Sequence, residues 1–261
     1  MSFSFQQHIA FSEITKSFGS VVANDSVSFE ITKGTIHGVV GENGAGKSTI
    51  MKVLYGMYPP DEGTILIDDR PHTLASPREA IQMGIGMVHQ HFMLAGSHNA
   101  VENVLLAAGG SAFGLLPFSE AKARLEKLMR EFQMDVRLDL PVEELSVGEQ
   151  QRVEILKLLY RDSNILILDE PTAVLAPKEI EALFATLRGM AQKGKTVLII
   201  THKLKEVLAI GDRVTVFRAG RVTAERELSG ASIGDLAALM VGHEIDLDER
   251  VSRGPVRQEV V

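Results

Sequence analysis

The sequence predicts an α/β protein built on a mostly parallel central sheet, and three observations indicate it. Residues 41–49 read GENGAGKST, which satisfies G-x-x-x-x-G-K-[ST] between an apolar run and a helical pattern. The continuous apolar run at 165–168 and the largely apolar run at 196–200 are typical of parallel strands covered on both faces. Residues 91–145 carry helical patterns without a β-run. We therefore expect one large α/β domain, or a core with one inserted subdomain.

The chain opens with two runs, 9–14 and 27–31, in which apolar and polar residues alternate. Alternation of this kind predicts half-solvated strands. Phe18 lies between them, just before Gly19, in a predicted loop. Its ring is suited either to stack on a nucleotide base or to pack the loop, and residue type alone does not decide between these roles.

The glycine-rich stretch follows a predicted buried strand, 36–40, and leads into a predicted helix, 50–55. Glycines tolerate positive φ, so successive N–H groups can surround an anion, and a helix N-terminus adds unpaired N–H groups. A lysine here reaches the terminal phosphates, and a hydroxyl ligates Mg²⁺. This stretch predicts a nucleoside triphosphate site formed by Gly41, Glu42, Asn43, Gly44, Ala45, Gly46, Lys47, Ser48 and Thr49.

The middle of the chain changes character after a short predicted strand, 85–88, which leads to Gln90. Gln90 is a candidate contact for water or Mg²⁺, or simply a polar loop residue. Helices are predicted at 99–108 and 119–132. We expect a core of residues 1–90 and 146–245, a helical insertion at about 91–145, and a polar tail or linker at 246–261.

Two further strand ends carry polar chemistry. Asp169 and Glu170 follow the run at 165–168, and His202 follows the run at 196–200. Ligand groups collect at the carboxyl ends of strands in an open parallel sheet. We expect Asp169 to hold Mg²⁺, Glu170 to point to the other side of the chain and act as general base, and His202 to contact the terminal phosphate.

Residues 145–152, LSVGEQQR, open another predicted helix. Ser146 and Glu149 have capping-box spacing, which explains the motif without any ligand. Alternatively, Ser146 with the backbone of Gly148 forms a second anion site, too far from Lys47 within one chain to hold the same nucleotide. Two such domains would then have to associate.

Composition narrows the function classes. With 27 basic and 34 acidic residues the chain has a net charge of −7, which argues against an electrostatic grip on nucleic acid. It has no cysteine, hence no disulfide framework or thiolate metal site. No secretory signal or spanning segment is recognised, so we expect a soluble chain whose membrane association comes through a partner.

Together these motifs resemble the ATP-binding-cassette (ABC) ATPase domain over about residues 8–242. GENGAGKST, Gln90, LSVGEQQR, ILILDEPT and His202 occur in the family's order and approximate spacing. The resemblance implies a P-loop NTPase core, an N-terminal antiparallel β subdomain and an inserted helical subdomain. It also implies ATP and Mg²⁺ sandwiched between the phosphate loop of one cassette and the signature motif of another.

The resemblance assigns roles to single residues. Phe18 matches the adenine-stacking aromatic, Gln90 the glutamine that senses the permease and contacts Mg²⁺, and Ser48 with Asp169 the Mg²⁺ ligands. Glu170 matches the catalytic base and His202 the switch histidine. The signature residues are Ser146, Gly148 and Glu149, the last standing where the family more often has Gln.

The run VHQHFML at 88–94, together with LSVGEQQRVEILKLLY at 145–160, resembles the bacterial importers of simple sugars and nucleosides. The implied partners are transmembrane permease subunits, a second cassette and, indirectly, a solute-binding protein, at the cytoplasmic face of the membrane. A cassette ATPase acting on ribosomes or DNA is the alternative, although the chain lacks that class's basic arm. Ala176 stands where the family commonly has Asp, so it offers the following helix no side-chain cap.

Overall fold

The strands form two sheets in the computed structural model, which describes residues 7–109 and 118–241. The antiparallel sheet contains β1 (Gln7–Phe18), β2 (Val21–Thr32), β4 (Glu62–Ile67) and β5 (Arg70–His72). The central sheet contains β3 (Ile36–Gly41), β6 (Ile85–Val88), β7 (Ile165–Asp169), β8 (Thr196–Thr201), β9 (Arg213–Arg218) and β10 (Arg221–Glu227).

The strand order of the central sheet places the predicted chemistry on one edge. The order is β10-β9-β3-β8-β7-β6, and every neighbouring pair is parallel except the hairpin of β9 and β10. In the antiparallel sheet the order is β2-β1-β4-β5. The carboxyl ends of β3, β8, β7 and β6 are therefore neighbours, and these strands lead into the phosphate loop, His202, Glu170 and Gln90.

Helices cover both faces of the central sheet. They are α1 (Lys47–Leu54), α2 (Pro77–Gln82), α3 (Ala100–Ala107), α4 (Phe118–Phe132), α5 (Val147–Tyr160), α6 (Pro177–Gln192), α7 (Leu204–Ile210) and α8 (Ile233–Val241), with a short 3-10 turn at Val142–Glu144. Ile167 of β7 packs with α1 and the antiparallel sheet, whereas its neighbour Leu168 packs with α3 to α6. This alternation explains why the strand is apolar at every position from Ile165 to Leu168.

The predicted fold class is confirmed, with differences in single elements. Phe18 was expected in a loop, but β1 continues to Phe18, which therefore lies at the end of a strand. The bulge at Glu13, which has φ 53°, interrupts the alternation from which the strand was predicted. The two short elements β5 and α7 were not predicted; α7 has no side-chain cap at Lys203.

Residues 91–109 and 118–145 contain helices and the 3-10 turn but no named strand. The domain boundaries stay a prediction, and the tail at 246–261 and most of the loop at 109–117 lie outside the described residues. In the part of the chain that the structure describes, no helix combines the length and hydrophobicity that crossing a bilayer requires.

Candidate functional site

The phosphate loop connects the end of β3 to the start of α1. Gly44 and Gly46 have φ values of 81° and 97°, in the left-handed region that favours glycine. A Cβ on Gly46 would lie 2.4 Å from the carbonyl oxygen of Ala23, so a side chain does not fit there. The loop conformation therefore depends on its glycines, as the sequence predicted.

Lys47 closes the loop on itself. Its Nζ donates hydrogen bonds to the carbonyl oxygens of Gly41, at 2.9 Å, and Glu42, at 2.8 Å. Burial lowers the pKa of Lys47, while the charges of Glu170 and Asp169 act in the opposite direction. The ammonium group is thus held at the loop by backbone carbonyls and faces two carboxylates.

Ser48 and Asp169 meet across the site. The Ser48 hydroxyl donates a hydrogen bond of 3.1 Å to Oδ1 of Asp169, which ends β7. Burial raises the pKa of Asp169, and the hydrogen bond from Ser48 opposes this rise. These two hard oxygen donors next to the phosphate loop are of the type that Mg²⁺ prefers.

Glu170 turns toward the same side as Asp169, and the expectation that it points to the other side of the chain is wrong. Its φ of 48° ends the alternation of β7, so its side chain also lines the cavity. Oε1 lies 2.8 Å from Nδ1 of His202 and accepts the backbone N–H of His202 at 3.2 Å. Oε2 accepts a long hydrogen bond from the hydroxyl of Thr201, 3.4 Å. The carboxylate is held by its partners on the end of β8.

These groups line one cavity of about 620 Å³. The predicted site residues that it brings together are Asn43, Gly44, Ala45, Gly46, Lys47, Ser48, Thr49, Gln90, Asp169, Glu170 and His202. The predicted residues that do not line it are Phe18, Gly41, Glu42, Ser146, Gly148 and Glu149. Residues that sequence reasoning missed complete the wall: Val21, Val22, Ala23, Ala173, Ala219 and Gly220. Small apolar residues of this kind, in a strand or in a turn, carry no chemical signal that would mark them in the sequence.

Phe18 lies outside this cavity lining. Its ring is 43% exposed and meets the ring of Tyr58 edge-on at 5.1 Å, with Nζ of Lys16 5.7 Å from the ring centroid. The structure therefore gives Phe18 a packing partner. Its role toward a base stays a prediction.

One strand and one turn that are distant from the phosphate loop in the sequence brace it. The fully buried Asn24 donates from Nδ2 to the carbonyl oxygen of Gly46 at 3.1 Å. The N–H of Gly220 donates to Ala45, and the N–H of Asp25 donates to Gly220. The loop is consequently held by β2 and by the β9–β10 turn, which no local motif indicated.

Gln90 lies on an exposed loop, and three residues later this loop is hydrogen-bonded to α5 at Met93. Oε1 of Glu154 accepts the N–H of Met93 at 2.5 Å, and Nζ of Lys157 donates to the carbonyl oxygen of Met93 at 2.8 Å. Glu154 and Lys157 also pair with each other at 2.8 Å, with side chains 4% and 11% exposed. This buried ion pair connects the Gln90 loop to the helix that begins after Ser146.

The N-terminus of α5 is capped as its sequence predicted. Ser146 Oγ accepts the N–H of Glu149, and Oε2 of Glu149 accepts the N–H of Ser146. The N–H of Gly148 donates to Oε1 of Glu179 at 3.0 Å. Oε2 of Glu179 accepts the N–H of Ala176, which has no side-chain cap of its own. One carboxylate thus joins the starts of α5 and α6.

Glu149 is neutralised by a neighbouring guanidinium. Arg137 binds it with both arms, from Nε to Oε1 at 2.8 Å and from Nη2 to Oε2 at 2.7 Å. These hydrogen bonds lower the pKa of Glu149 to about 2. The position where the family more often has Gln therefore carries a full negative charge matched by a positive one.

Comparison with known proteins gives a consistent result. The family model described as "ABC transporter" matches residues 24–173. The nucleoside import ATP-binding protein NupA of Lactococcus lactis is 43% identical over 93% of this chain and 48% of its own length. The ribose import ATP-binding protein RbsA of Hahella chejuensis is 42% identical over 91% and 48%. The chain spans about half the length of the curated relatives it matches.

Solved structures agree with the fold. The ADP conformation of MJ1267, an ATP-binding cassette of an ABC transporter, superposes with a TM-score of 0.78 at 27% identity, covering 91% of this chain and 99% of that one. A dimeric post-hydrolysis state of the cassette MJ0796 bound to ADP and Pi has a TM-score of 0.72 at 27% identity, covering 84% and 98%.

Proposed function

The chain belongs to the ABC transporter family, and from this premise we propose that it binds and hydrolyses ATP to power an importer of simple sugars or nucleosides. The observation that carries the proposal is the convergence of Lys47, Ser48, Asp169, Glu170 and His202 on one cavity beside the phosphate loop. A cation, hard oxygen donors and a candidate base in one cleft are the parts that phosphoryl transfer to water requires.

The residues that line the cavity would have separate roles in ATP hydrolysis. The loop amides and Lys47 bind the phosphates of ATP, aided by the N-terminus of α1. Glu170 accepts a proton from the water whose oxygen attacks the γ-phosphorus, the bond to the β–γ bridging oxygen breaks, and ADP and phosphate leave. His202 holds the Glu170 carboxylate through Nδ1. Gln90 orients the water from the facing loop.

Ser48 and Asp169 would hold Mg²⁺ in this site. Both are oxygen donors, they already share a hydrogen bond, and the described residues contain no cluster of three acidic or histidine side chains that would form a full protein cage. Mg²⁺ keeps several waters and takes one or two protein ligands plus phosphates, which fits this donor set. When bound, it neutralises charge on the phosphates.

A second cassette would complete the site. Ser146, Gly148 and Glu149 lie outside the cavity that Lys47 lines, so we infer that they would face the nucleotide of a companion and not the one bound by the same chain. The dimeric form of the similar cassette MJ0796 supports this arrangement. The companion would be either a second copy of this chain or a fused second half.

The names of the relatives favour import as the process that ATP hydrolysis would drive. Their names describe nucleoside, ribose and guanosine import, which supports an importer over the alternative of a cassette acting on ribosomes or DNA. The proposed partners are transmembrane permeases, with a solute-binding protein acting on them, and the proposed location is the cytoplasmic face of the membrane. Gln90 and the loop that follows it would contact the permease.

Glu170→Gln tests the hydrolytic assignment. We expect ATP binding to persist and steady-state hydrolysis to fall by about 10²- to 10⁴-fold, the usual contribution of a positioned base. Lys47→Ala is the matched variant for binding, and it should lower the affinity for ATP in an equilibrium titration. Hydrolysis that survives Glu170→Gln would exclude Glu170 as the base, and an unchanged titration curve for Lys47→Ala would exclude the phosphate-loop assignment.

Uptake measurements test the transport assignment. In cells that lack this chain, uptake of labelled ribose and guanosine is compared after complementation with the wild-type chain or with Glu170→Gln. We expect wild type to restore uptake of one of these classes and the variant to fail. Equal restoration by both would contradict ATP-driven import.

A further inference from the structure

The start of α5 is crowded with negative charge. Oε2 of Glu149 lies 3.0 Å from the backbone nitrogen of Ser146, and Oε1 of Glu179 lies 3.0 Å from that of Gly148. Glu144 precedes this segment, in the 3-10 turn, and its charge also acts on Arg137. Under the proposed function, a companion's triphosphate must approach these same amides. Uncompensated carboxylates would repel it.

Several hydrogen bonds hold Arg137 against the start of α5. Its two-armed contact with Glu149 is supported by its backbone N–H, which donates to Oε1 at 3.3 Å, and by Nη2, which donates to the carbonyl oxygen of Glu144 at 3.4 Å. The side chain of Glu149 is 13% exposed and that of Arg137 is 55% exposed. The guanidinium therefore lies on the solvent side of the carboxylate, where an approaching anion meets it.

We propose that Arg137 is a positioning residue that neutralises Glu149 and so makes the signature segment of this cassette acceptable to the triphosphate held by its companion. This inference rests on the proposed function, in which Ser146 and Gly148 contact that triphosphate. It explains how a carboxylate is tolerated where an uncharged amide is more usual. The rival explanation is that Arg137 only staples the segment before α5 to the helix.

ATP-dependent association distinguishes the two explanations. In a Glu170→Gln parent, self-association in MgATP is measured by sedimentation over a range of protein concentrations. Like charges about 10 Å apart at an effective dielectric constant of about 20 change an equilibrium by roughly tenfold, so Arg137→Met should weaken association by that factor. Adding Glu149→Gln to Arg137→Met removes the unpaired charge and should restore association to within about threefold of the parent.

A matched control removes the same kind of charge elsewhere. Arg124 of α4 pairs with Asp162 at 2.8 Å, and Arg124→Met should leave association unchanged. ATP titration of Arg137→Met at low protein concentration should also match the parent, because Arg137 does not line the nucleotide cavity. The Arg137→Met defect should shrink as salt rises, since screening weakens repulsion.

Each outcome has a definite meaning. An Arg137→Met protein that associates like the parent, or a double variant as weak as Arg137→Met alone, would overturn the inference in favour of a staple, because the double variant lacks the ion pair as well. A parent that does not associate in MgATP would overturn pairing between two copies of this chain, and this inference with it, whereas the proposed ATP hydrolysis is judged separately by the titration of Lys47→Ala and the turnover of Glu170→Gln. Weakened association of Arg137→Met, together with restored association when Glu149→Gln is added, supports charge neutralisation.

Discussion

The ion pair of Glu154 and Lys157 offers the sharpest test of how the Gln90 loop is held. Lys157→Met removes the charge but keeps most of the apolar stem of the side chain. Glu154 then stays buried, still accepting the N–H of Met93 but without its cation, and the carbonyl oxygen of Met93 loses its donor. The variant thus isolates one charge in a nearly unchanged shape.

The expected loss follows from burial. Removing one partner of a buried ion pair costs about 3–5 kcal/mol of the free energy of unfolding. Glu154 keeps one hydrogen bond and Lys157 lies near the surface, so we expect the lower value, about 3 kcal/mol. For a chain of this size that corresponds to a decrease of roughly 6–12 °C in the unfolding midpoint.

Denaturant unfolding at neutral pH measures the change, and Lys122→Met is the control. Lys122 pairs with Asp139 at 2.6 Å, but the two side chains are 32% and 70% exposed, so its loss should cost less than about 1 kcal/mol. Glu154→Gln added to Lys157→Met should recover most of the stability, because a neutral amide still accepts the N–H of Met93. Amide exchange at Met93 should accelerate in Lys157→Met alone.

The reasoning would be refuted by either of two results. A Lys157→Met protein no less stable than Lys122→Met would mean that water already screens the pair. A double variant as unstable as the single one would mean that the stem of Lys157, and not its charge, supplies the stability.

Three further predictions concern the loop, a helix cap and a buried histidine. Gly46→Ala places a Cβ 2.4 Å from the carbonyl oxygen of Ala23 at a φ of 97°, so it should abolish ATP binding in an equilibrium titration; normal binding would contradict the strain argument. Ala176→Asp supplies the missing acceptor at the start of α6 and should raise the free energy of unfolding by about 1 kcal/mol in urea, with Ala176→Leu as the control that gains nothing. Burial lowers the pKa of His37 from 6.5 to about 3, so the unfolded chain alone takes up this proton, and stability should fall as pH drops from 6.5 toward 3. A His37→Gln protein should show a shallower pH slope over that range, and an identical slope would refute the assignment.

Local sequence determined the elements that depend on neighbouring residues. The strand, glycine loop and helix of residues 36–54 are consecutive, so their pattern was visible without a fold. The capping box at Ser146 formed as predicted, and a second one is present at Asn99, because each needs only residues three apart. The continuous apolar run of β7 indicated a strand with both faces covered, which its packing confirmed.

Tertiary structure decided the contacts between residues far apart in the chain. Ser48 meets Asp169, Asn24 meets Gly46, and Arg137 neutralises Glu149, although no periodicity links the members of any pair. Sequence reasoning found both members of the first pair but missed Asn24 and Arg137, because a lone Asn or Arg carries no motif.

The direction of Glu170 illustrates the physical reason. Alternation along β7 predicted that it points away from Asp169, but a positive φ at the strand end turns it toward His202. That backbone conformation is uncommon for a residue with a side chain, and hydrogen bonds from Thr201 and His202 to the carboxylate help to hold it. Local sequence patterns determined the strands and helices of this protein, whereas tertiary contacts determined the direction in which its reactive side chains point.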